Sequence, residues 1–386
     1  KSRKGFHEYD GATPLISSVS LTDGRKYSGI FEAVDDWRIS EKHKLSFGLR
    51  SMANYSDQSS RNGDIHVQSE INTCLNRLWG EYSGNLGGFS YSLGAAVEHY
   101  GYGTNESSRK DYLYLRPLIQ LNYTFNDHSS MYLNYSSSVE TPKIGWLGTA
   151  SYLRDDKWLS TSNSELESYT TRSAMVGYTF NNNWLYLSPY VYVYHNGNQI
   201  IPLFSQENGY LVERKEHSGS MLVVMAALGS RIKPFRNIPL SLTIYAMYND
   251  QRLTGGKADR SVKSLGGMAM LRYSGKKWTA EAMYNQPFRS ISDLGIDKGE
   301  NYGYFEFARR IGKNLRIGAG MRYPFYDWKV SEETALGSPL TMKNTSRMTS
   351  QKNTIILTCV YNFSYGKKAR TVNKKVNNSD SDSGLF

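Results

Sequence analysis

The sequence predicts an all-β fold, a transmembrane antiparallel up-and-down β-barrel, and three observations carry the prediction. Tight polar turns and long polar stretches take strict turns along most of the 386 residues. The segments between them alternate apolar and polar residues for about 10 to 14 positions, the length a tilted strand needs to cross a bilayer. The apolar faces end in aromatic residues beside the tight turns, as an interfacial girdle would.

The tight connections are Asn126-Asp127, Asn181-Asn182-Asn183, Ser274-Gly275-Lys276 and Gly312-Lys313, with longer versions at Ser83 to Gly88 and Lys233 to Pro239. Each is a turn-forming cluster bounded by alternating sequence, which reads as a hairpin. The long polar stretches run at 56–68, 101–111, 139–166, 198–215, 250–261, 288–300 and 327–350, with little apolar periodicity. Strands are expected at 28–40, 44–55, 69–83, 88–101, 111–125, 129–138, 167–180, 184–197, 216–232, 239–250, 262–273, 277–288, 301–311, 314–326 and 351–364. A weaker segment at Thr13 to Leu21, closed by Thr22-Asp23-Gly24-Arg25, would bring the count to an even sixteen, as bacterial barrels prefer.

Side-chain alternation separates two faces. Leu113, Leu115, Pro117, Ile119 and Leu121 oppose Tyr112, Tyr114, Arg116, Gln120 and Asn122; Leu185, Leu187, Val191 and Val193 oppose Tyr186, Ser188, Tyr190, Tyr192 and Tyr194. One face suits lipid and the other water. A soluble propeller or sandwich also alternates, but its strands are about half as long. Tyr123, Phe125, Tyr178, Phe180, Trp184, Trp278, Tyr361 and Phe363 supply the aromatic rim.

Composition is compatible with this reading. A mean hydropathy of -0.55 does not exclude a barrel, which shows lipid only alternate strand residues. The longest apolar run, Met221 to Leu228, is too short for a spanning helix. The +11 charge is scattered over loops and turns, so no nucleic-acid partner is expected. Residues 1–364 read as one barrel unit, and 365–386 as a basic and polar tail without a core. Lys1 to Gly5 is basic but no apolar stretch follows, so no signal peptide opens the chain.

Residues for catalysis do not assemble in the sequence. His7, His43, His66, His99, His128, His195 and His217 are dispersed, and Cys74 and Cys359 read as strand packing residues, so neither a metal site nor a cofactor is expected. No nucleophile elbow or phosphate loop is present, and the chain is expected not to be an enzyme. The candidate ligand contacts are therefore the inward tyrosines Tyr186, Tyr190, Tyr192 and Tyr194, the inward arginines Arg50, Arg116, Arg316 and Arg322, and the loop tryptophans Trp146 and Trp158. Tyrosine offers rigid area with a hydroxyl, and arginine a planar fork for carboxylate or phosphate. Residues of these types also commonly hydrogen-bond across a barrel wall.

Several stretches resemble a known family in the order that family shows them. Tyr27 to Ile39 (YSGIFEAVDDWRI) followed by Lys44 to Arg50 (KLSFGLR) is similar to a strand, turn and strand ending in GLR of TonB-dependent outer-membrane receptors. Leu113 to Phe125, Asn126-Asp127, Ser130 to Ser136 and Thr141-Pro142 resemble that family's "P.L.Y.F...Y.NYS...P" hairpin. Glu165 to Ser168 lies where a "NP.L.PE" segment is common, without the Asn-Pro, and Thr354 to Phe363 with Gly366-Lys367-Lys368 resembles a closing strand. The resemblance implies a C-terminal portion of a barrel of about 22 strands. It further implies outer-membrane lipid, a plug domain and TonB as partners, the last two through upstream segments. The long loops would be extracellular, the tight turns and tail periplasmic, and the ligand a metal chelate, glycan or peptide. The alternatives are a passive porin-like channel of about sixteen strands, and a non-transporting surface barrel whose loop 139–166 serves adhesion or hydrolysis.

Overall fold

Antiparallel pairing of strands adjacent along the chain builds one 16-stranded sheet. The computed structural model describes residues 2–363 except 11–12, 63–64, 106, 148–150, 154–156, 257–258, 294, 313, 326–327 and 336–341. The sheet opens with β1 (Ser2–Asp10), β2 (Thr13–Arg38), β3 (His43–Asn62), β4 (Ile65–Leu86) and β5 (Phe89–Thr104). It continues through β6 (Lys110–Asn126), β7 (Ser129–Glu140), β8 (Tyr169–Asn181), β9 (Leu185–Asn196) and β10 (Ser220–Ile232). β11 (Leu240–Thr254), β12 (Arg260–Ser274), β13 (Trp278–Gln286), β14 (Tyr302–Ile311), β15 (Leu315–Arg322) and β16 (Thr354–Tyr361) complete it.

The two faces differ as the alternation requires. Leu93, Val97, Leu113, Leu115, Val191, Leu265, Leu271, Ile317, Ile355 and Leu357 all stand exposed on the outer face, Leu113 at 71% and Leu265 at 71%. An apolar surface this continuous is unfavourable in water and matches hydrocarbon. Aromatics border it at the tight-turn rim: Tyr123 meets Phe125 edge-on with ring centres 4.9 Å apart, and Trp278 stacks on Phe307 at 4.9 Å. Trp37, Trp184 and Phe363 are exposed at the same rim.

Turn chemistry sets that rim. Asn126 Oδ1 accepts the His128 amide at 2.9 Å, and Asn182 Oδ1 accepts the Trp184 and Leu185 amides at 3.0 and 2.8 Å. Both are side chains closing a turn on their own backbone. The turn expected over Ser83 to Gly88 is tighter than that: β4 reaches Leu86 and β5 starts at Phe89, leaving Gly87-Gly88. Gly87 has φ +64°, open to glycine at no steric cost.

The structure corrects the sequence reading at the other rim. The sixteenth strand is Ser2–Asp10, whereas the segment 13–21 is the outer part of β2. Thr22 to Arg25 does not turn, because Asp23 and Gly24 stay in register with Ser59 and Gln58 of β3. Of the stretch 56–68, expected as a loop, residues 56–62 and 65–68 are strand as well, with Ser56 facing Ile71 and Asn62 facing Ile65. The expected strand 216–232 is two, Tyr210–His217 and β10, divided where Gly219 takes φ +68°. The tail 365–386 lies outside the described residues.

Other long stretches fold into small sheets of their own. Ile200–Glu207 and Tyr210–His217 form a hairpin, and Trp158–Thr161 adds to it in parallel, with Val212 opposite Leu159. Ser151–Leu153 completes that sheet, and Arg289–Ile291, Gly295–Lys298, Trp328–Ala335 and Met342–Met348 make a second. The buried apolar residues lie where such loops meet the inner face. Leu147 and Leu166 are fully buried against Ile71, Tyr100 and Tyr102; Ile201 packs with Met221, Val223 and Leu253. Burial of each such side chain stabilises by about 1.5 to 3 kcal/mol relative to exposure.

Candidate functional site

The inner face carries charges arranged in rows by strand register. Glu32 faces Arg50, Arg50 faces Arg77, and Arg77 faces Glu98 across β2, β3, β4 and β5. Glu98 is the centre of this row. Its carboxylate is 1% exposed, accepts from Arg77 Nε at 2.6 Å, and binds Arg116 Nη1 from β6. Arg116 Nε also donates to the Ser137 carbonyl at 3.0 Å, and Arg50 lies 4.0 Å from Glu32. Arg77, Arg116 and Ser137 line a recess of about 340 Å³.

A second row crosses β12, β13 and β14, where Arg272 faces Glu281 and Glu281 faces Glu306. Two carboxylates directly opposite repel, and the arginines relieve this. Arg272 pairs with Glu281, Arg316 Nη2 donates to Glu306 at 2.6 Å, and the Tyr304 hydroxyl donates to Glu281. Arg322 lines an adjoining recess with Tyr302 and Tyr304. Arg50, Arg116 and Arg316 are thus wall-bracing ion pairs that each still border the interior.

The four tyrosines of β9 divide between wall and cap. Tyr190 and Tyr245 hydroxyls lie 2.7 Å apart, Tyr192 stacks on Tyr194 with centres 6.3 Å apart, and Tyr194 packs on the Ile201 cluster. Tyr186, nearest the tight turn, is exposed at 39%.

Both loop tryptophans are anchors of the cap. Trp146, in the short helix Ile144–Leu147, packs on the Leu147 cluster and lies under the ammonium groups of Lys143 and Lys215, 5.1 and 5.6 Å from the ring centre. Trp158 Nε1 donates to Glu213 at 3.1 Å, and its ring meets Phe204 edge-on. Asn163 joins the segments: its amide donates to the Trp146 carbonyl at 2.7 Å and its side chain to the Lys215 carbonyl at 2.8 Å.

Sequence reasoning did not single out the residues that seat this cap. Tyr102, Tyr112 and Tyr114 stack in a ladder on β5 and β6. The Tyr102 hydroxyl donates to the Leu166 carbonyl, and Tyr114 donates to the Ser168 carbonyl at 3.1 Å. Lys110 Nζ binds Glu165 at 2.8 Å, and this hydrogen bond holds the Glu165 carboxyl below its ordinary pKa. Tyr102→Phe is expected to loosen the 141–168 segment by about 1 to 3 kcal/mol, the cost of leaving a buried carbonyl unpaired. Limited chymotrypsin digestion would show it as faster cleavage within 141–168 and unchanged cleavage elsewhere. Glu98 and Glu306 share the parity of tyrosines on their own strands, Tyr100 and Tyr102 on β5 and Tyr302 and Tyr304 on β14, whereas Glu281 is placed only by its register opposite Glu306.

The family model described as "Outer membrane protein beta-barrel family" matches residues 36–365. No curated protein matches the chain. Among solved structures, the copper transporter OprC is similar with TM-score 0.61 at 12% identity, covering 86% of this chain and 57% of its own. The ferric citrate transporter FecA in its unliganded form gives TM-score 0.62 at 12% identity, covering 89% of this chain and 55% of its own. The ferric yersiniabactin uptake receptor FyuA from Yersinia pestis gives TM-score 0.56 at 11% identity, covering 91% and 56%. This chain therefore spans little more than half the length of the structures it matches, and at this identity the likeness is one of fold.

Proposed function

The chain belongs to the outer membrane protein beta-barrel family, and from that premise we propose that it supplies the wall and capture loops of a TonB-dependent outer-membrane receptor. The observation that carries this reading is the cap. Two loop sheets and a buried apolar cluster sit on the inner face at the long-loop rim, above rows of inward charge. A receptor needs a shaped outer surface and a polar path below it, which this arrangement offers. Long loops face the exterior and tight turns the periplasm, as bacterial barrels arrange them.

The ligand is a polar solute larger than free ions: a metal chelate, a glycan or a peptide. OprC, FecA and FyuA, named for copper, ferric citrate and ferric yersiniabactin, favour the chelate. The plug domain and TonB act through segments outside this chain. Cells carrying the intact gene or lacking the region encoding it are fed panels of metal chelates, glycans and peptides, with and without a proton uncoupler. Accumulation that depends on this chain and stops with the uncoupler supports the receptor. Accumulation that depends on it and persists would establish the porin instead.

A further inference from the structure

On the outer face, three neighbouring strands bring together residues that sequence reading left scattered. Cys74 of β4 faces Gly101 of β5, and Gly101 faces Asp111 of β6. His99 stands two residues from Gly101 on the same side. The Cys74 thiol, a His99 ring nitrogen and an Asp111 carboxylate oxygen all lie within 4.8 Å of one another. Their strands show which side this is: Val97, Leu113 and Leu115, of the same parity, are exposed apolar residues, while Glu98, Tyr112 and Tyr114 point inward. The cluster therefore caps the apolar band at its long-loop end and stands apart from the charged interior.

We propose that Cys74, His99 and Asp111 form a binding site for a borderline divalent transition metal, Zn²⁺ being the reference ion. Thiolate, imidazole and carboxylate are the zinc donor set, and three protein ligands leave a fourth position open. Calcium and magnesium would demand an oxygen cage that these residues lack. Zinc-to-ligand distances of about 2.0 to 2.3 Å require side-chain shifts of only about 1 Å from the present arrangement.

Three further features fit a built cradle. Its floor is Gly101, where a Cβ would come within 2.4 Å of Asp111 Oδ1 and 3.0 Å of Cys74 Sγ, so any side chain there would fill it. His99 is oriented from behind: its Nδ1 lies 3.3 Å from the Asn76 side-chain amide, which in turn bonds Ser51 at 2.7 Å. With the Asn76 oxygen accepting from Ser51, its NH2 donates to Nδ1, so Nε2 carries the proton and bonds Asp111 at 2.9 Å; ligation through Nε2 turns the Asn76 amide over so that its oxygen accepts from Nδ1–H, the outer-shell bond of metal-ligating histidines. The cradle already holds a cation. Arg109 Nη2 donates to Cys74 Sγ at 3.1 Å and Arg109 Nε to Asp111 at 3.0 Å, from a side chain 60% exposed at the end of a loop. Metal entry displaces this guanidinium into water; the Cys74 S–H and His99 Nε2–H bonds break, the thiol proton passing to solvent and the imidazole proton reappearing on Nδ1 by way of water, as the metal–sulfur and metal–nitrogen bonds form.

The test titrates the detergent-solubilised chain with Co²⁺, whose thiolate complex shows a near-ultraviolet charge-transfer band, and then with Zn²⁺. The site predicts a band that saturates at one equivalent and is erased by Zn²⁺. Cys74→Ser abolishes it, His99→Gln and Asp111→Asn weaken binding by about tenfold or more, and Arg109→Gln tightens it. Cys359→Ser, at an exposed position near the opposite rim, leaves it intact, and unchanged strand circular dichroism shows each variant folded. A band unaffected by Cys74→Ser, a band lost with Cys359→Ser, or binding seen only in Arg109→Gln overturns the proposal.

Discussion

Glu98→Gln is expected to destabilise the folded sheet by about 3 kcal/mol, the low end of the cost of stranding a buried charge. The carboxylate is 1% exposed and receives two guanidinium groups, so a neutral amide leaves Arg77 and Arg116 facing each other across β5. Both arginines keep a wet flank, which is why the low end applies. A urea titration in detergent, read by tryptophan fluorescence, measures it. A loss below about 1 kcal/mol would show that solvent alone satisfies both arginines. The triple change Glu98→Met, Arg77→Leu, Arg116→Met should recover most of the loss, because apolar replacement of a whole buried ionic cluster is often neutral.

Val191→Arg is expected to cost about 2 to 4 kcal/mol and Gln120→Arg less than about 0.5. Val191 is an exposed apolar residue of β9 roughly halfway along a bilayer-length span above its tight turn. An arginine there must snorkel or thin the membrane. Gln120 is on the inner face, lining a recess with Ser92, Asn122, Tyr132 and Asn134, where added charge stays hydrated. Unfolding from lipid vesicles, monitored by heat-dependent gel migration, separates the two. Equal effects would mean that the apolar face does not meet hydrocarbon.

The faces were legible in the sequence because lipid and water select different residues at alternate positions, so Leu113 and Tyr112 declare their sides without any knowledge of their neighbours. Tight turns were legible from Asn126, Asn182 and Gly87, whose chemistry is local. The outer reaches of β2, β3 and β4 were not: residues such as Asp57, Gln58, Ser59 and Ser60 are polar in succession, so no alternation marks a strand. The cap escaped for another reason. Trp158–Thr161 pairs with residues some fifty positions later, a contact that no local pattern encodes. Of the candidate contacts, Arg50, Arg116 and Arg316 stand in the rows of paired charge, and their pairing with Glu32, Glu98 and Glu306 emerged only with the register. Cys74, His99 and Asp111 come from three strands and meet only because Gly101 makes room.

β4 is 22 residues long and β3 is 20, paired from end to end. At about 3.3 Å per residue and a tilt near 40°, such a ribbon rises about 50 to 55 Å, roughly twice the height of the apolar band of an outer-membrane barrel. With the tight turns inward, as the proposed function has them, the surplus stands as a stiff palisade above the lipid headgroups. On the proposed receptor reading, first encounter with a ligand takes place some 25 Å beyond the apolar band, and shortening this ribbon would slow capture from dilute medium while leaving the membrane-embedded staves intact.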